Sequence, residues 1–167
     1  LAVGKPKADK VFTTPVYRFS RDGEDWISIG LKGHIMKVDF PEEYSRWNLD
    51  SLGELVLADV LKLPAEKGII RSLENLAKKA DHVYIATDFD REGELIGLEA
   101  LELTVEENAK LARTVRRARF SALTPGEINR AFSHLEQLSE PLALAGAARQ
   151  DIDLIWGATL TRFVSLA

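Results

Sequence analysis

The sequence predicts an α/β fold in which a layer with a parallel sheet is followed by an all-helical segment. Along the middle of the chain the patterns alternate in the order helix, strand, loop, helix, strand. This order is typical of parallel strands joined by right-handed crossovers. After Thr124-Pro125 the pattern changes, because two helical stretches follow, at 126–138 and 142–164, with no strand between them. We therefore place the boundary between the two parts near residues 121–125.

The first third of the chain has the pattern of a hairpin with irregular connections. Its predicted elements are a loop at 1–10, hairpin strands at 11–19 and 25–31, an extended stretch at 35–38 and a loop at 41–50. The strands are predicted from their β-prone residues, and the turn signal Arg21-Asp22-Gly23 separates them. In the last loop, Tyr44 and Trp47 are candidate aromatic anchors.

The central part of the chain supplies the alternating elements. They are an apolar stretch at 56–63 that fits either a strand or a helix, helices at 66–80 and 92–104, and strands at 82–86 and 114–120. Apolar residues recur at helical spacing in both predicted helices. The stretch 82–86 is short, continuous and rich in β-branched and aromatic residues, which is typical of a strand buried on both faces.

Composition limits the classes of function. The 167 residues, of which 46% are hydrophobic, fit one full domain or one domain plus a fragment. The sequence contains no cysteine, which excludes disulfides and thiolate metal sites. It contains no apolar run long enough to span a bilayer and no secretory signal pattern, so we expect no membrane partner. Since the net charge is −4, any contact with nucleic acid depends on local charge.

Four carboxylates lie within seven residues directly after the strand predicted at 82–86, namely Asp88, Asp90, Glu92 and Glu94. Ligand sites in open α/β sheets lie at the carboxyl ends of strands. Carboxylates placed side by side repel one another, and a hard divalent cation such as Mg²⁺, which prefers oxygen ligands, relieves that repulsion. The pattern therefore predicts a metal site. Capping is the structural alternative, because acidic residues are also favoured in the first turn of a helix.

The segment 86–97, ATDFDREGELIG, resembles the D-x-D-R-E-G-E signature of the Toprim domain in type IA DNA topoisomerases. Primases, nucleases and type II topoisomerases share the looser D-x-D element, but not the run Arg91-Glu92-Gly93-Glu94. The Leu-Ile-Gly continuation is most similar to the archaeal topoisomerase I and topoisomerase III branches. Further segments that resemble the family are 15–19, 30–34, 38–44, 66–71, Arg119-Phe120-Ser121 (an R-x-x-F segment with one residue fewer, or in a shifted alignment) and 147–153 with Gly157 (an A-R-x-x-x-D helix).

This resemblance implies a Toprim domain, a Rossmann-like α/β layer with a parallel sheet, at 1–122, followed at 123–167 by the first helices of an all-helical DNA-gate domain. Type IA enzymes cut one DNA strand with a tyrosine, which forms a 5′-phosphotyrosine link, pass a strand through the gap and rejoin the ends. They relax negative supercoils or decatenate DNA. The sequence has no G-x-x-x-x-G-K-[ST] loop, so we expect ATP-independent activity without a nucleotide cofactor.

The resemblance also assigns catalytic roles within the acidic loop. It implies that Asp88, Asp90 and Glu92 hold Mg²⁺ near the scissile phosphate. It further implies that Arg91 and Glu94 are supporting catalytic groups, in contact with one another or with the region of the catalytic tyrosine. The expected partner is single-stranded DNA. The expected location is the cytoplasm, in association with the nucleoid, or the nucleus in a eukaryote.

Two catalytic elements of the family are missing from the sequence. None of the three tyrosines lies in a segment like the family's tyrosine motif, and core packing is expected for Tyr84. The family's glutamate at the end of its first strand has no counterpart in residues 1–10. Since the chain begins with Leu1 and its only methionine is Met36, we expect that it lacks the first strand of the domain and that the tyrosine lies in a separate domain of the same enzyme. We predict that the chain alone does not cleave DNA.

A cluster of four arginines at 113–119 is a candidate for contact with DNA. In a strand, Arg113, Arg117 and Arg119 share one face, while Arg116 points the other way. Arginine clusters commonly hold a nucleic-acid backbone, whereas charges on a solvated edge strand deter aggregation. With the resemblance, Arg119 is the candidate DNA-binding residue.

Three more candidates for DNA binding lie outside this cluster. His34 follows Gly33 in a segment that the family places close to DNA, although a lone histidine is more often structural. Arg149 and Asp153 are four residues apart and share a helix face. The resemblance implies that Arg149 contacts a phosphate and that Asp153 orients it or contacts a base, and a surface ion pair is the alternative. Trp156 fits either core packing or stacking on a base.

Two alternative functions are compatible with the sequence beside the topoisomerase interpretation. The first is another Toprim phosphoryl-transfer enzyme, such as a small nuclease or a primase-like domain. The second is a non-catalytic module that binds DNA or metal, and the absence of the tyrosine motif and of the first-strand glutamate favours it.

Overall fold

The computed structural model describes residues 1–2 and 4–167, which form three small sheets, six α-helices and a short 3-10 helix at Glu42–Ser45. The strands are β1 (Lys7–Val11), β2 (Thr14–Arg21), β3 (Glu24–Ile29), β4 (Met36–Asp39), β5 (Leu61–Pro64), β6 (Tyr84–Ile85) and β7 (Arg116–Arg117). The α-helices are α1 (Leu52–Val56), α2 (Lys67–Ala77), α3 (Arg91–Glu107), α4 (Leu111–Thr114), α5 (Pro125–Ser133) and α6 (Glu140–Leu166). Because β6 and β7 pair in parallel with α3 between them, the predicted α/β fold is confirmed.

The first sheet is an antiparallel meander in the order β1-β2-β3. β2 and β3 form the predicted hairpin, joined by a two-residue turn. The prediction of a loop at 1–10 is wrong for residues 7–10, because β1 pairs with β2 along its whole length. Four of the five side chains of β1 are exposed, so this edge strand has no apolar alternation by which the sequence could reveal it.

The second sheet consists of β4 and β5, paired antiparallel. β5 covers part of the stretch 56–63, for which the sequence left open a strand or a helix. The end of α1, a turn and the start of β5 all lie within that stretch, so it is neither one strand nor one helix. The loop predicted at 41–50 contains the 3-10 helix. Tyr44 anchors this loop against Phe40, with 6.3 Å between the ring centroids, whereas Trp47 is half exposed.

The parallel sheet is smaller than the sequence predicts. β6 and β7 have two residues each, rather than the five and seven predicted at 82–86 and 114–120. Ile85 is buried but Tyr84 is only half-buried, so the prediction of a strand buried on both faces is wrong. The side chains that pack against the Tyr84 ring in the described residues are the aromatic rings of Trp26, His82 and Phe132, and they leave it partly accessible. Tyr84 does pack, with its ring centroid 4.5 Å from that of Trp26.

The helical part is formed by α5 and α6. The helix predicted at 126–138 ends at Ser133, because Glu136 forms an antiparallel bridge with Arg117 instead of continuing the helix. Two backbone hydrogen bonds of 2.9 Å make this bridge. The domain boundary between residues 122 and 123 stays a prediction. None of the helices in residues 1–2 and 4–167 combines the length and the apolar character needed to cross a membrane.

α6 lies against α3 and covers the start of that helix. Their closest approach is at Gly146, where a Cβ atom would lie 2.5 Å from the carbonyl oxygen of Arg91 and 3.2 Å from the Cβ atom of Leu95. Glycine at this position therefore lets the backbones of the two helices touch. The neighbouring Ala143 is completely buried.

A buried ion pair joins the parallel sheet, α3 and the start of α6. Arg117 Nε donates to Glu94 Oε1 at 2.6 Å, and the two side chains are 1% and 0% exposed. The other carboxylate oxygen of Glu94 accepts a hydrogen bond from the backbone N–H of Ser139 at 2.9 Å. Arg117 also donates to the carbonyl oxygens of Ala118 and Asp88, at 2.7 and 2.9 Å. Both charges thus have the close hydrogen-bonded partners that offset their loss of water.

Replacing Arg117 with methionine is expected to destabilise the fold by about 3–5 kcal/mol, because Glu94 then becomes an unpaired buried charge. The double variant Arg117→Met/Glu94→Leu is expected to lose less than the sum of the two single losses, since it removes both charges. Urea unfolding followed by circular dichroism measures these free energies. Arg113→Met, at an exposed position, is the control and is expected to stay within about 0.5 kcal/mol of the parent. Simple additivity of the two single losses would contradict this account.

Gly146→Ala is expected to destabilise the fold by about 1–3 kcal/mol, because the new methyl group meets backbone that has to move. Gly157→Ala on the same helix is the matched control, since a Cβ atom there meets nothing within 4 Å. It is expected to stabilise the fold by about 0.5–1 kcal/mol through helix propensity alone. Thermal unfolding of both variants measures the difference, and equal shifts in Tm would show that the contact between α3 and α6 is not as close as described.

Candidate metal and nucleic-acid site

The acidic loop connects β6 to α3 and is held by short hydrogen bonds. Asp90 is the N-cap of α3, and its Oδ1 accepts a hydrogen bond from the backbone N–H of Gly93 at 2.7 Å. The hydroxyl of Thr87 donates to the carbonyl oxygen of Gly93 at 2.7 Å. Gly93 lies so close to the backbone of Asp88 that a Cβ atom there would overlap the Asp88 carbonyl oxygen. The loop therefore requires glycine at position 93, and helix capping is an observed role of Asp90.

Asp88 and Asp90 are exposed and line one cavity of about 740 Å³. Glu92 does not line this cavity and turns toward His34, with 3.0 Å between Glu92 Oε2 and His34 Nε2. In the part of the chain that the structure describes, no three His, Cys, Asp or Glu side chains lie close enough together to hold a metal ion. The structure thus brings two of the three predicted metal ligands to a common cavity and leaves the third outside it.

The chemistry of the cavity fits a hard divalent cation. Asp88 and Asp90 present carboxylate oxygens, and Mg²⁺ commonly takes one or two carboxylates, with waters and phosphate oxygens completing its shell. Among the described residues, the arginines around the loop lie nearest to other carboxylates: Arg117 is hydrogen-bonded to Glu94, whereas Arg91 and Arg119 lie 3.9 and 3.8 Å from Glu92 and Glu136. The negative charges of Asp88 and Asp90 are therefore available to a cation.

Arg91 and Glu94, the two predicted supporting groups, lie in different environments. Arg91 is at the surface, with its Nε 3.9 Å from the carboxylate of Glu92. Glu94 is enclosed and pairs with Arg117, so its partner differs from the contact with Arg91 that the resemblance implied as one option. In this structure Glu94 holds Arg117, which in turn donates a hydrogen bond to the backbone carbonyl of Asp88 in the loop. The contact of Glu94 with the region of the catalytic tyrosine stays a prediction.

His34 lies between two glutamates of α3. Its Nε2 is 3.0 Å from the carboxylate of Glu92, and its Nδ1 is 3.6 Å from that of Glu99. Glu99 is 3% exposed, and burial raises the pKa of its carboxyl group. Sequence reasoning missed Glu99, although it follows Glu92 by seven residues, which places both on the same side of a helix. Contact between His34 and DNA stays a prediction.

Arg119 and Arg117 lie in opposite environments. Arg119 is 48% exposed at the cavity, and its guanidinium carbon lies 3.5 Å from the ring centroid of Phe89. Arg117 is buried, so the prediction that Arg113, Arg117 and Arg119 share one face is wrong; Arg113 belongs to α4, not to a strand. Sequence reasoning named Arg117 in the arginine cluster but missed its buried role as the partner of Glu94. The signal for it was the R-x-x-F spacing from Arg117 to Phe120, which needs no missing residue.

Arg149 and Asp153 share an exposed face of α6. Arg149 Nε lies 3.3 Å from Asp153 Oδ2, and the side chains are 50% and 68% exposed. An ion pair this exposed contributes at most about 1 kcal/mol, so the guanidinium can exchange its partner for a phosphate at little cost. Trp156 is 61% exposed, so core packing is excluded for it within the described residues.

Comparison with known proteins places this loop in a family. The profile of the Toprim domain matches residues 19–123. The chain is 50% identical to DNA topoisomerase 1 of Archaeoglobus fulgidus over 83% of its own length and 20% of that protein. It is 41% identical to DNA topoisomerase 1 of Thermoplasma acidophilum over 99% of the chain and 21% of that protein. It is 34% identical to DNA topoisomerase 3 of Caenorhabditis elegans over 98% of the chain and 21% of that protein.

The matched part is about one fifth of the length of each of these relatives. Its position over the acidic loop agrees with the signature at 86–97. The chain therefore belongs to the Toprim domain family, in the branch represented by DNA topoisomerases 1 and 3.

Proposed function

We propose that this chain is the metal-binding part of a type IA DNA topoisomerase that works without ATP. In this proposal the whole enzyme cleaves one DNA strand by transesterification, passes a strand through the gap and rejoins the ends, so that negative supercoils relax or linked molecules separate. The observation that carries the proposal is the acidic loop after β6, where Asp88 and Asp90 share one cavity with Arg119. Membership in the Toprim family and the similarity to DNA topoisomerases 1 and 3 support it.

The residues of the chain have distinct tasks in this proposal. Asp88 and Asp90 bind Mg²⁺ through their carboxylate oxygens, and Glu92 is the third proposed ligand. Bound there, Mg²⁺ supplies positive charge beside the scissile phosphate. Arg91 and Glu94 support the loop on its outer and inner sides.

Cleavage needs a nucleophile, which we place outside this chain. Tyr84 is packed against Trp26 and is therefore a poor candidate. We propose that the catalytic tyrosine belongs to another domain of the same protein, that this domain is a partner of the chain, and that the chain alone does not cleave DNA. We further propose that the protein works with the cell's DNA, in the cytoplasm with the nucleoid or in a eukaryotic nucleus.

The DNA is proposed to be single-stranded and to contact Arg119 at the cavity and Arg149 on α6. Asp153 orients Arg149 through their ion pair, and His34 lies beside Glu92 at the edge of the loop. No nucleotide cofactor enters the proposal.

A non-catalytic module that binds DNA or metal is the second candidate function. One observation favours it: Glu92 stands apart from Asp88 and Asp90, so the described residues do not form a complete three-carboxylate site. Such a module binds Mg²⁺ and DNA but performs no strand passage.

The chain is expected to bind Mg²⁺ with a dissociation constant on the order of 1 mM, as befits two exposed carboxylates. Asp88→Asn and Asp90→Asn are each expected to weaken binding at least about fivefold, because each removes one charge next to the cation. Isothermal calorimetry measures the affinity. Asp90→Asn keeps the helix cap, since asparagine caps as well as aspartate, so a weaker affinity reports the charge.

Asp81→Asn, an exposed aspartate before β6, is the control for a general loss of negative charge. If all three variants bind alike, the site assignment fails. In the longer protein that carries this chain, Asp88→Asn and Asp90→Asn are also expected to slow relaxation of negatively supercoiled plasmid at least about tenfold. Mg²⁺ binding in a longer protein that relaxes no plasmid would favour the non-catalytic module.

Arg149→Ala is expected to weaken binding to single-stranded oligothymidylate and to reduce the slope of log affinity against log salt by about 0.7, the value for one phosphate contact. Fluorescence anisotropy between low and moderate salt measures both quantities. Lys79→Ala, another exposed cation, is the control for the general loss of positive charge. An unchanged salt slope in Arg149→Ala would remove α6 from the proposed DNA path.

A further inference from the structure

The cavity beside the acidic loop contains two arginines in different states. Arg130 donates two hydrogen bonds to Glu127, at 2.8 and 2.6 Å, and they lower the pKa of Glu127 to about 2. Glu127 is therefore ionised at any pH used to measure DNA binding, and its negative charge offsets the positive charge of Arg130. Arg119 Nη1 lies 3.8 Å from the carboxylate of Glu136, which is too far for a hydrogen bond. Among the described residues that line the cavity, Arg119 is the one cation that no carboxylate engages by a hydrogen bond.

An aromatic ring holds this available cation in place. The guanidinium carbon of Arg119 lies over the face of the Phe89 ring, 3.5 Å from its centroid, well inside the range of a cation–π contact. The contact limits the freedom of a long side chain that is otherwise costly to order. A guanidinium covered on its face still has its N–H groups free at the edge, and those groups match the two oxygens of a phosphate.

Neither side chain of this contact belongs to the core. Phe89 is 38% exposed, and Arg119 is 48% exposed. Their contact therefore contributes little to the stability of the fold, and its place at the cavity needs another reason. Phe89 is the middle residue of the D-x-D element, so the peptide chain fixes it directly between Asp88 and Asp90.

We propose that Phe89 is a positioning residue for DNA, which holds Arg119 at the mouth of the cavity so that its guanidinium engages a phosphate of single-stranded DNA beside Asp88 and Asp90. This inference rests on the proposed function, which supplies DNA as the substrate and Arg119 as a phosphate contact. It adds that the three adjacent residues of the D-x-D element have two functions, cation binding and positioning of the phosphate contact. The outer two serve the cation, and the middle one sets the distance from the cation to the phosphate contact.

The test measures binding of the 167-residue chain to a fluorescent oligothymidylate by anisotropy. Phe89→Leu is expected to weaken binding about threefold, the effect of losing one exposed cation–π contact. Phe89→Tyr keeps an aromatic face and is expected to bind like the parent. Phe12→Leu is the matched control, because it removes an exposed arginine–phenylalanine contact far from the D-x-D element in sequence, that of Arg71 over Phe12 at 4.1 Å. It is expected to leave DNA binding unchanged.

A second readout reports the position of Arg119 without DNA. Its guanidinium lies over an aromatic ring, so ring-current shifts are expected to move its proton NMR signals upfield in the parent and in Phe89→Tyr. These shifts are expected to vanish in Phe89→Leu. Glu136→Gln is expected to strengthen DNA binding about twofold, because it removes an exposed carboxylate that competes for Arg119.

The outcomes separate the inference from the proposed function. If Arg119→Ala binds DNA like the parent, the proposed phosphate contact fails and the inference fails with it. If Arg119→Ala weakens binding but Phe89→Leu matches Phe12→Leu, the contact stands and the positioning role of Phe89 is overturned. If Phe89→Leu lowers Tm, Phe89→Tyr still decides, since loss of binding or of the ring-current shifts in that variant also overturns the inference.

Discussion

The ion pair between Glu94 and Arg117 is the interaction on which the site depends. Charges removed from water are tolerated only when every polar atom finds a partner, and here the partners are the carbonyl oxygens of Asp88 and Ala118 and the N–H of Ser139. Three separate segments therefore meet at two side chains: the acidic loop, the second parallel strand and the residue before α6. The loop after β6 is fixed because the buried Arg117 donates a hydrogen bond to the backbone carbonyl of Asp88.

The acidic residues of the loop divide into an inner and an outer group. Glu94 points inward and serves the fold, whereas Asp88 and Asp90 point outward into the cavity. In the sequence, helix capping and metal binding are alternative explanations of the acidic residues. At Asp90 both roles are possible at once. Its Oδ1 caps α3, a carboxylate has a second oxygen, and Asp90 also lines the cavity. One residue can thus stabilise the start of a helix and present negative charge to a cation.

The sequence predicts the elements that have a local signal of their own, and misses those that depend on a neighbouring strand. α2 has a clear apolar periodicity, whereas α3 and α6 are marked by long runs of helix-favouring residues and the hairpin by β-prone residues around a turn signal; all of them lie close to their predicted positions. β1 is an edge strand with exposed side chains, so only its pairing with β2 defines it. The two-residue strands β6 and β7 likewise depend on their neighbours more than on their own residues.

The site shows the same limit at the level of single residues. The D-x-D-R-E-G-E run identifies the loop, because its residue types are specific to one chemistry. It does not distinguish Arg117, which is buried, from Arg119, which is exposed, since that choice depends on where the strand ends. It also does not reveal Glu99, whose contact with His34 forms only when β4 and α3 pack together.

The backbone contact at Gly146 has a mechanical consequence. α6 carries the exposed pair of Arg149 and Asp153, and it is fastened to α3 both at Gly146 and through the N–H of Ser139. At Gly146 no side chain of α6 separates the two backbones, so a displacement of α6 toward the start of α3 meets backbone directly. A shift of α6 relative to α3 would have to break both the contact at Gly146 and the hydrogen bond of Ser139 to Glu94.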